Sequence, residues 1–458
     1  MKFDNETLRT AVKEWLDDPK KAEEIYGHIS NWDVSNVTDM SFLFSAPENK
    51  VNFKSSEYDN PREILENILT WECVFNDDIS KWNVANVQNM SFMFYNAIEF
   101  NQDISTWNTS NVTNMFGMFN KASSFNQDIS KWDVSNVNYM SALFRLATSF
   151  NKDIGSWIVS KVICMHEMFS WAESFNKNIS KWDVSSVVNM SDMFDGASLF
   201  NQDISNWNVS NVKNMSHMFS NNYNHSAFNQ DISKWDVSSV TNMYNMFGGS
   251  WRSDVEPPAF NQDIGNWDVS NVKNMGYMFH NARFNKDISN WDVRNVVNME
   301  LMFNGNKFFN HDLSKWMVSH KTNLEDMFTG ADSYTYGDLR NHDKKDKSEI
   351  WIAMEKSTIF YGDDEEFEAM ELRIEFSDDG DGEHEIIDYI KEQLNCEHLI
   401  FTETGNNDGE FELQRIIDLP EIDDYDGYGD GGHHGPFSTN EEVIDYVKNL
   451  KTISFKNL

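Results

Sequence analysis

A tryptophan returns at a near-constant interval through the first three-quarters of this chain: Trp32, Trp82, Trp107, Trp132, Trp157, Trp182, Trp207, Trp235, Trp267, Trp291 and Trp316. Each sits in the same sentence, as in FNQDISNWNVSNVKNMSHMF at 200–219. A fixed period of roughly 20–50 residues restricts a chain to stacked supersecondary units, because no single unit of that size buries its own apolar face. Architecture is therefore the first thing this sequence specifies.

Alignment on the tryptophan exposes the apolar columns. Position −7 is Phe in ten units, from Phe75 to Phe309; −3 is Ile or Leu; +2 is Val except Thr109. Position +5 is Val except Lys321, +8 and +11 are Met or Leu, and +12 is Phe throughout. Trp and the Val two residues on share one face of a short strand if the backbone is extended there. The apolar residues at +5, +8 and +11/+12 are spaced as in a turn or two of α- or 3₁₀-helix. The expectation is an α/β repeat solenoid, one short strand and one short helical turn per coil. In it Trp82, Trp107, Trp132, Trp157, Trp182, Trp207, Trp235, Trp267, Trp291 and Trp316 are core rungs.

Two polar columns mark corners. Asn occupies −6 from Asn76 to Asn310, and Asp occupies −4 in all those units but one, where Asn178 stands. Such side chains satisfy turn amides, and stacked Asn can bond along the repeat axis. Calcium is the competing reading of the Asp column. It is the weaker one, since calcium-binding repeats gather several Asp and Gly in one loop.

Surface positions carry the readings of function. The columns −1, +1 and +3 mix Lys81, Lys131 and Lys181 with Asp133, Asp183 and Asp236, as a plain solvated face does. Aromatics at +9 and +10 (Phe42, Phe92, Phe116, Tyr244 and Tyr277) form a contact stripe if exposed, or pack under neighbouring loops. The period is broken at three places. Residues between Trp32 and Trp82 include NPREILENIL, which reads as a helix beginning near Pro61. Residues are added around Tyr223–Ser226 and around Gly249–Pro258, and the second addition brings in Trp251. Insertions in repeat proteins map to loops on one face, often the binding face. Phe92, Phe116, Tyr244, Trp251 and Tyr277 are thus the candidate protein-binding residues.

The expected domains are a helical cap at 1–24, eleven repeats at 25–331, a charged linker at 332–349 and a small acidic α+β domain at 350–458. In the cap, Leu8, Val12, Trp15 and Leu16 make one apolar helix face. In the tail, 370–377, EHLIFTET, EFELQRIID and TISF read as strands, while 384–394 and 439–450 read as helices. SDDGDGEHEIID at 377–388 sets Asp379, Asp381, Gly382 and Asp388 at calcium-loop offsets, but Ser377 holds the first ligand position. DDYDGYGDGGHHG at 423–435, with His433 and His434, reads as a Gly-rich loop rather than a metal site. No catalytic constellation stands out, so neither an enzyme nor a cofactor is expected.

The net charge of −37 is concentrated in the tail, where 332–458 hold 34 acidic against 11 basic residues. That argues against nucleic acid or an anionic membrane as the main partner and leaves protein. Cys73, Cys164 and Cys396 are isolated, which makes no disulfide framework and allows a reducing compartment. No 18-residue apolar run occurs, so no membrane insertion is expected, and the opening MKFDNETLRTAVKEW has no signal-peptide core. An intracellular or virion-associated location is therefore favoured over the cell surface.

FNQDISNWNVSNVKNMSHMF and SNWDVSNVTDMSFLF resemble the BspA-like surface-protein repeat, a degenerate leucine-rich-repeat family of bacterial and mycoplasmal surface proteins, microbial eukaryotes and large DNA viruses. AVKEWLDDPKKAEEIYGHISNWDVSNVTDMSFLF is similar to the cap and first repeat of that family, and the likeness spans about residues 5–331. What the resemblance implies is an adhesion or interaction module at a cell or particle surface. The leading expectation is a non-enzymatic structural or protein-interaction solenoid, associated with a viral particle or its assembly. The alternatives are a cell-surface adhesin and an enzymatic activity in the C-terminal domain.

Overall fold

A computed structural model of the chain describes residues 1–45, 72–221, 223–319, 321–337 and 339, and the backbone of four strands beyond. The chain divides into two compact units, Met1–Leu339 and Arg340–Leu458.

The first unit opens with two helices. α1 (Asn5–Asp17) starts at Asp4, whose carboxylate accepts the Thr7 amide at 2.9 Å while the Thr7 hydroxyl accepts the Asp4 amide at 2.9 Å. This reciprocal pairing satisfies two amides that a helix start leaves without partners. α2 (Pro19–Tyr26) begins on the Asp18 cap with Pro at its first turn, and Gly27 follows it at φ 75°. α1 buries Leu8, Ala11, Val12 and Trp15. Trp15 meets Trp32 edge-on at 5.7 Å, and Phe3 lies against Trp32 at 5.0 Å.

The repeats are built otherwise than the spacing suggests. Among the described residues of 27–331 the only helical segment is a 3₁₀ turn, Ile29–Asn31, and no multi-residue strand occurs. The unit of Trp182 shows what replaces the expected strand and helical turn. Three i→i+3 turns follow one another: Trp182 to Ile179 at 3.1 Å, Val187 to Val184 at 2.9 Å and Met193 to Met190 at 3.3 Å. Before or at the start of each, a side-chain oxygen accepts the amide two residues on: Asn178 from Ser180, Asp183 from Ser185, and Asn189 from Ser191. Each such turn sets the apolar side chains at its two ends three residues apart, as a helix does.

Neighbouring units join by parallel bridges at position +7, running Asp39, Asn89, Asn114, Tyr139, Cys164, Asn189, Asn214, Asn242, Asn274, Asn298 and Asn323. From there alternate amides donate into the next unit. Met190, Asp192, Phe194 and Gly196 reach Asn214, Ser216, Met218 and Ser220 at 2.8–3.0 Å. Side chains add three more ladders. Each Asn at −6 accepts the backbone amide of the next, from Asn76–Asn101 to Asn285–Asn310. Asn at +4 donates to the preceding unit's backbone, as Asn211 does to Ser185 at 2.7 Å. From Trp82 on, each tryptophan indole donates to a carbonyl of the preceding unit, as Trp182 does to Ile154 at 3.1 Å.

The core is a stack of columns. The eleven tryptophans are buried, with ring spacings such as 6.5 Å between Trp182 and Trp207. Phe at +12 lies on the next Phe at −7 at close range, 3.8 Å for Phe94 and Phe100. Where the sequence departs from its columns, the packing compensates. Thr109 stands where others have Val and donates its hydroxyl to the Asp133 carbonyl at 2.9 Å. In the last unit Thr322 fills the buried slot vacated by Lys321 and donates to the Val296 carbonyl at 2.7 Å.

α1 also closes the ladder at its open end. In later units the +6 amide, the +7 amide or both donate to the preceding +6 carbonyl, as Gln88 and Asn89 do to Thr38. The first unit has no predecessor, and there the Asn5 side-chain oxygen accepts from Thr38 and Asp39 at 2.9 and 3.2 Å. The Arg9 guanidinium donates to the Ser41 and Asp39 carbonyls. Edge groups that would template foreign strands are thereby occupied.

At the other end, Tyr334 stacks on Phe328 at 4.0 Å and Leu339 is buried. Of the described residues beyond 331, Tyr334 and Leu339 pack against the core, while Asp332, Thr335, Tyr336 and Gly337 are exposed. In the second unit β1 (Trp351–Tyr361) pairs antiparallel with β2 (Glu365–Glu375), and β3 (Leu399–Glu403) with β4 (Phe411–Ile416). The expected strands at 370–377, in EHLIFTET and in EFELQRIID overlap β2, β3 and β4, while β1 was not expected. The NPREILENIL helix, the remainder of the linker, the helices at 384–394 and 439–450, the TISF strand, Cys396 and the loops at 377–388 and 423–435 lie outside the described residues.

Candidate functional site

One column departs from the uniformity of the rest. At +10 every unit has a left-handed backbone, from Phe42 at φ 55° to Asp326 at φ 51°. The third residue of an i→i+3 turn takes this conformation in type II geometry, which favours Gly or Asn. Yet this column reads Phe42, Phe92, Gly117, Ala142, Glu167, Asp192, His217, Asn245, Tyr277, Leu301 and Asp326. A left-handed non-glycine residue costs about 1–2 kcal/mol. The backbone repeats here while the chemistry changes, and the neighbouring columns +9, +13 and +14 vary with it.

The +9/+10 aromatics do not form one exposed stripe. Phe92 and Phe116 are fully buried, in a cluster with Phe42, Tyr95 and the half-buried Tyr139. Phe92 stacks on Phe42 at 4.7 Å and meets Phe116 at 5.0 Å. The absence of a side chain at Gly117 leaves the space that the Phe92 ring fills. As sites for a partner these two phenylalanines are corrected to core, because large aromatics in adjacent units cover one another.

Tyr244, Trp251 and Tyr277 are brought together instead. With His217, Tyr223, Asn245, Arg252 and His280 they line an open cavity of about 420 Å³. Trp251 lies over His280 at 3.8 Å and meets Tyr277 edge-on at 5.9 Å. Tyr277 is 5.2 Å from Tyr244, which is 5.3 Å from His217. The Asn245 side-chain NH2 donates to His217 Nδ1 at 3.0 Å.

Both late insertions build this wall. The first places Tyr223 on the surface through Asn221, whose side-chain oxygen accepts the Tyr223 and Asn224 amides. The second is pinned at its start by Gly249 donating to His280 at 2.7 Å, and by Asn281 donating to Ser250 at 2.8 Å. The two loops touch: His225 bonds the Pro257 carbonyl at 3.0 Å, and Ala259 donates to Ser226 at 2.9 Å. Tyr223 and Trp251, 60% and 59% exposed, are the outermost aromatics of the cavity.

Its electrostatics are neutral to acidic. Burial pushes the Tyr244 phenol up to about 12, helped by Tyr277 and by Glu300. Burial also raises Tyr277, with Glu300 nearby. Burial lowers His280 to about 4, leaving it uncharged at neutral pH. Arg252 is held by Asp254 through bonds of 3.0 and 2.7 Å, and Arg283 by Glu256 at 3.1 Å.

A second polar group lies on the same face in earlier units. Arg145 pairs with Glu167 at 3.0 Å, and His166 bonds the Ser191 hydroxyl at 2.7 Å beside Asp192. Burial raises Asp195 to about 6, and the Ser220 hydroxyl donates to it at 2.5 Å. Trp171 crosses Gly196, where a Cβ would lie 2.6 Å from its ring, and reaches Tyr223 at 5.3 Å.

In the Asp column each carboxylate takes the amide two residues on. Bonds from the hydroxyl and amide of the following serine hold Asp103, Asp128 and Asp203 below the usual carboxylate range. Among the described residues no cluster of His, Cys, Asp and Glu is arranged to hold a metal ion, and no helix is long and apolar enough to cross a membrane.

Of the residues expected from the sequence, Tyr244, Trp251 and Tyr277 come together at one cavity; His217, Tyr223, Asn245 and His280, which also line it, were not singled out as candidates. The signal for His217 and Asn245 was the +10 column itself, where chemistry varies while +8, +11 and +12 do not. A family model described as "Mycoplasma protein of unknown function, DUF285" matches four segments of the chain, 20–62, 63–178, 152–256 and 250–360. No curated protein and no solved structure matches.

Proposed function

The chain belongs to the DUF285 repeat family, and on that premise we propose that residues 25–331 form a BspA-like, leucine-rich-repeat-like solenoid acting as a non-enzymatic protein-interaction scaffold. Its binding face carries positions +9, +10, +13 and +14. One observation carries this reading: the two places where the period fails late in the array put exposed aromatics, Tyr223 and Trp251, on the same cavity. Repeat proteins concentrate recognition on one face of insertions, and exposed Trp and Tyr are the usual anchors of protein interfaces. The acidic surface favours a basic or neutral protein partner over nucleic acid.

A comparative pull-down tests it. Full-length chain, a variant with 250–257 replaced by a Gly-Ser loop of equal length, and Lys131→Ala/Lys181→Ala on the Trp-proximal surface are incubated with the same host-cell lysate. Proteins held by the wild type and the lysine variant but lost by the loop variant support the scaffold reading. Identical retention by all three overturns it.

A further inference from the structure

We propose that the cavity between the two late insertions is an aromatic cage for a single cationic side chain, Lys or Arg, presented by a basic segment of the partner. This deepens the scaffold reading and rests on it. The walls are π faces and edges: Trp251, Tyr277 and Tyr244 follow one another at 5.9 and 5.2 Å, and Tyr223 stands at the lip. A cation within about 6 Å of such rings is attracted by their quadrupoles, most strongly by Trp. The volume of about 420 Å³ suits one extended side chain and its backbone.

Charge selects the sign of the occupant. The guanidinium that lines the cavity, Arg252, is engaged by Asp254 at 2.7 Å. His280, 1% exposed beneath Trp251, carries no charge at neutral pH. Glu300 lies near enough to Tyr244 and Tyr277 to disfavour their ionisation, and Glu325 adds to this at Tyr277. A positive guest therefore meets aromatic faces, two neutral phenols and two nearby carboxylates. An anion meets the same carboxylates with the lining arginine already paired to Asp254. The formal charge of −37 raises the local concentration of basic segments around the whole chain.

The test uses the full-length chain at about 150 mM salt, where exposed charges beyond about 8 Å are screened. A five-residue peptide with one central lysine is titrated against its norleucine counterpart and against a neutral oligosaccharide. The reporter is the indole N–H resonance of Trp251, assigned by its loss in Trp251→Phe. The lysine peptide is expected to bind at least about tenfold tighter than the norleucine peptide. Trp251→Ala, a change in an exposed loop, should lose about tenfold, while Trp251→Phe, followed through Tyr277, keeps most of the affinity. Equal binding of lysine and norleucine peptides overturns the cage in favour of an apolar pocket. Saccharide binding without peptide binding overturns it in favour of a sugar platform. An unchanged affinity in Trp251→Ala places the cation elsewhere. If the cage fails while the loop variant still loses its partners in the pull-down, the scaffold reading stands without it.

Discussion

Replacing Trp182 by alanine tests the load on the central column. The side chain is 3% exposed, packs against Trp207 at 6.5 Å and Phe169 at 6.1 Å, and donates to the Ile154 carbonyl at 3.1 Å. An indole buries on the order of 200 Å², which at about 25 cal/mol per Å² corresponds to roughly 5 kcal/mol, of which the alanine methyl retains a part. The carbonyl of Ile154 also loses its donor, about 1 kcal/mol or more. Buried Trp→Ala changes cost about 3–5 kcal/mol, and this one belongs in that range. Trp182→Phe keeps the stacking and loses the N–H, so it should cost about 2 kcal/mol. A single unfolding midpoint is a poor readout for an array of units. Native-state hydrogen exchange reads the site directly through the Met165 and Met190 amides, which bond forward to Asn189 and Asn214. Their opening free energies should fall by the stated amounts, with a smaller fall at the distant Met275 amide. A loss under about 1 kcal/mol at both flanking amides would refute the argument that the tryptophans hold the stack together. Equal costs for Phe and Ala would refute its division between packing and hydrogen bonding.

The cap, a buried hydroxyl and a carboxylate give three further expectations. Arg9→Leu withdraws the donors to Ser41 and Asp39, and should lower protection of the Phe42 amide by about 1.5–3 kcal/mol while leaving units beyond Trp132 unchanged. Thr109→Val restores the column's usual residue; because other units hold Val there, the change should be neutral or stabilising by up to about 1 kcal/mol, and a loss larger than that in a melt would contradict this reading. Asp195, raised to about 6 by burial, binds its proton more tightly folded than unfolded. Its contribution is therefore complete below pH 3.8 and is lost as pH rises through 6, roughly 2–3 kcal/mol in all. Asp195→Asn should remove that component from the stability difference between pH 4 and pH 7; an unchanged difference in thermal midpoints would assign it to other groups.

The buried columns are legible in the sequence because each is one side chain in one environment, repeated. The backbone that carries them is less so, since a spacing of three is common to helices and to consecutive turns. The discriminating clue was the Asx residue at −4, +1 and +7, each followed two residues later by an amide it caps, commonly that of Ser. Phe92 and Tyr277 occupy the same column and meet different fates. The neighbour decides: Gly117 opens a berth for one ring, while the other faces a cavity made by inserted loops. That cavity depends on contact between His225 and Pro257, in two loops separated by a whole repeat, and single-sequence periodicity holds no record of such a contact.

The bonds between units have a consequence for how such a chain changes length. Every junction uses the same donors and acceptors in the same register, whether the units are Trp107 and Trp132 or Trp182 and Trp207. Removal of one whole period from the regular stretch would bring an Asn at −6 against another Asn at −6, and a +10 amide against a +9 carbonyl. The cut ends would find the partners they had before. Recombination between its own near-identical segments can thus lengthen or shorten the array without a repacking step, and each event changes only the order in which +10 side chains are displayed. Asn5 and Arg9 fix where counting begins; nothing in the repeating bonds fixes where it must stop.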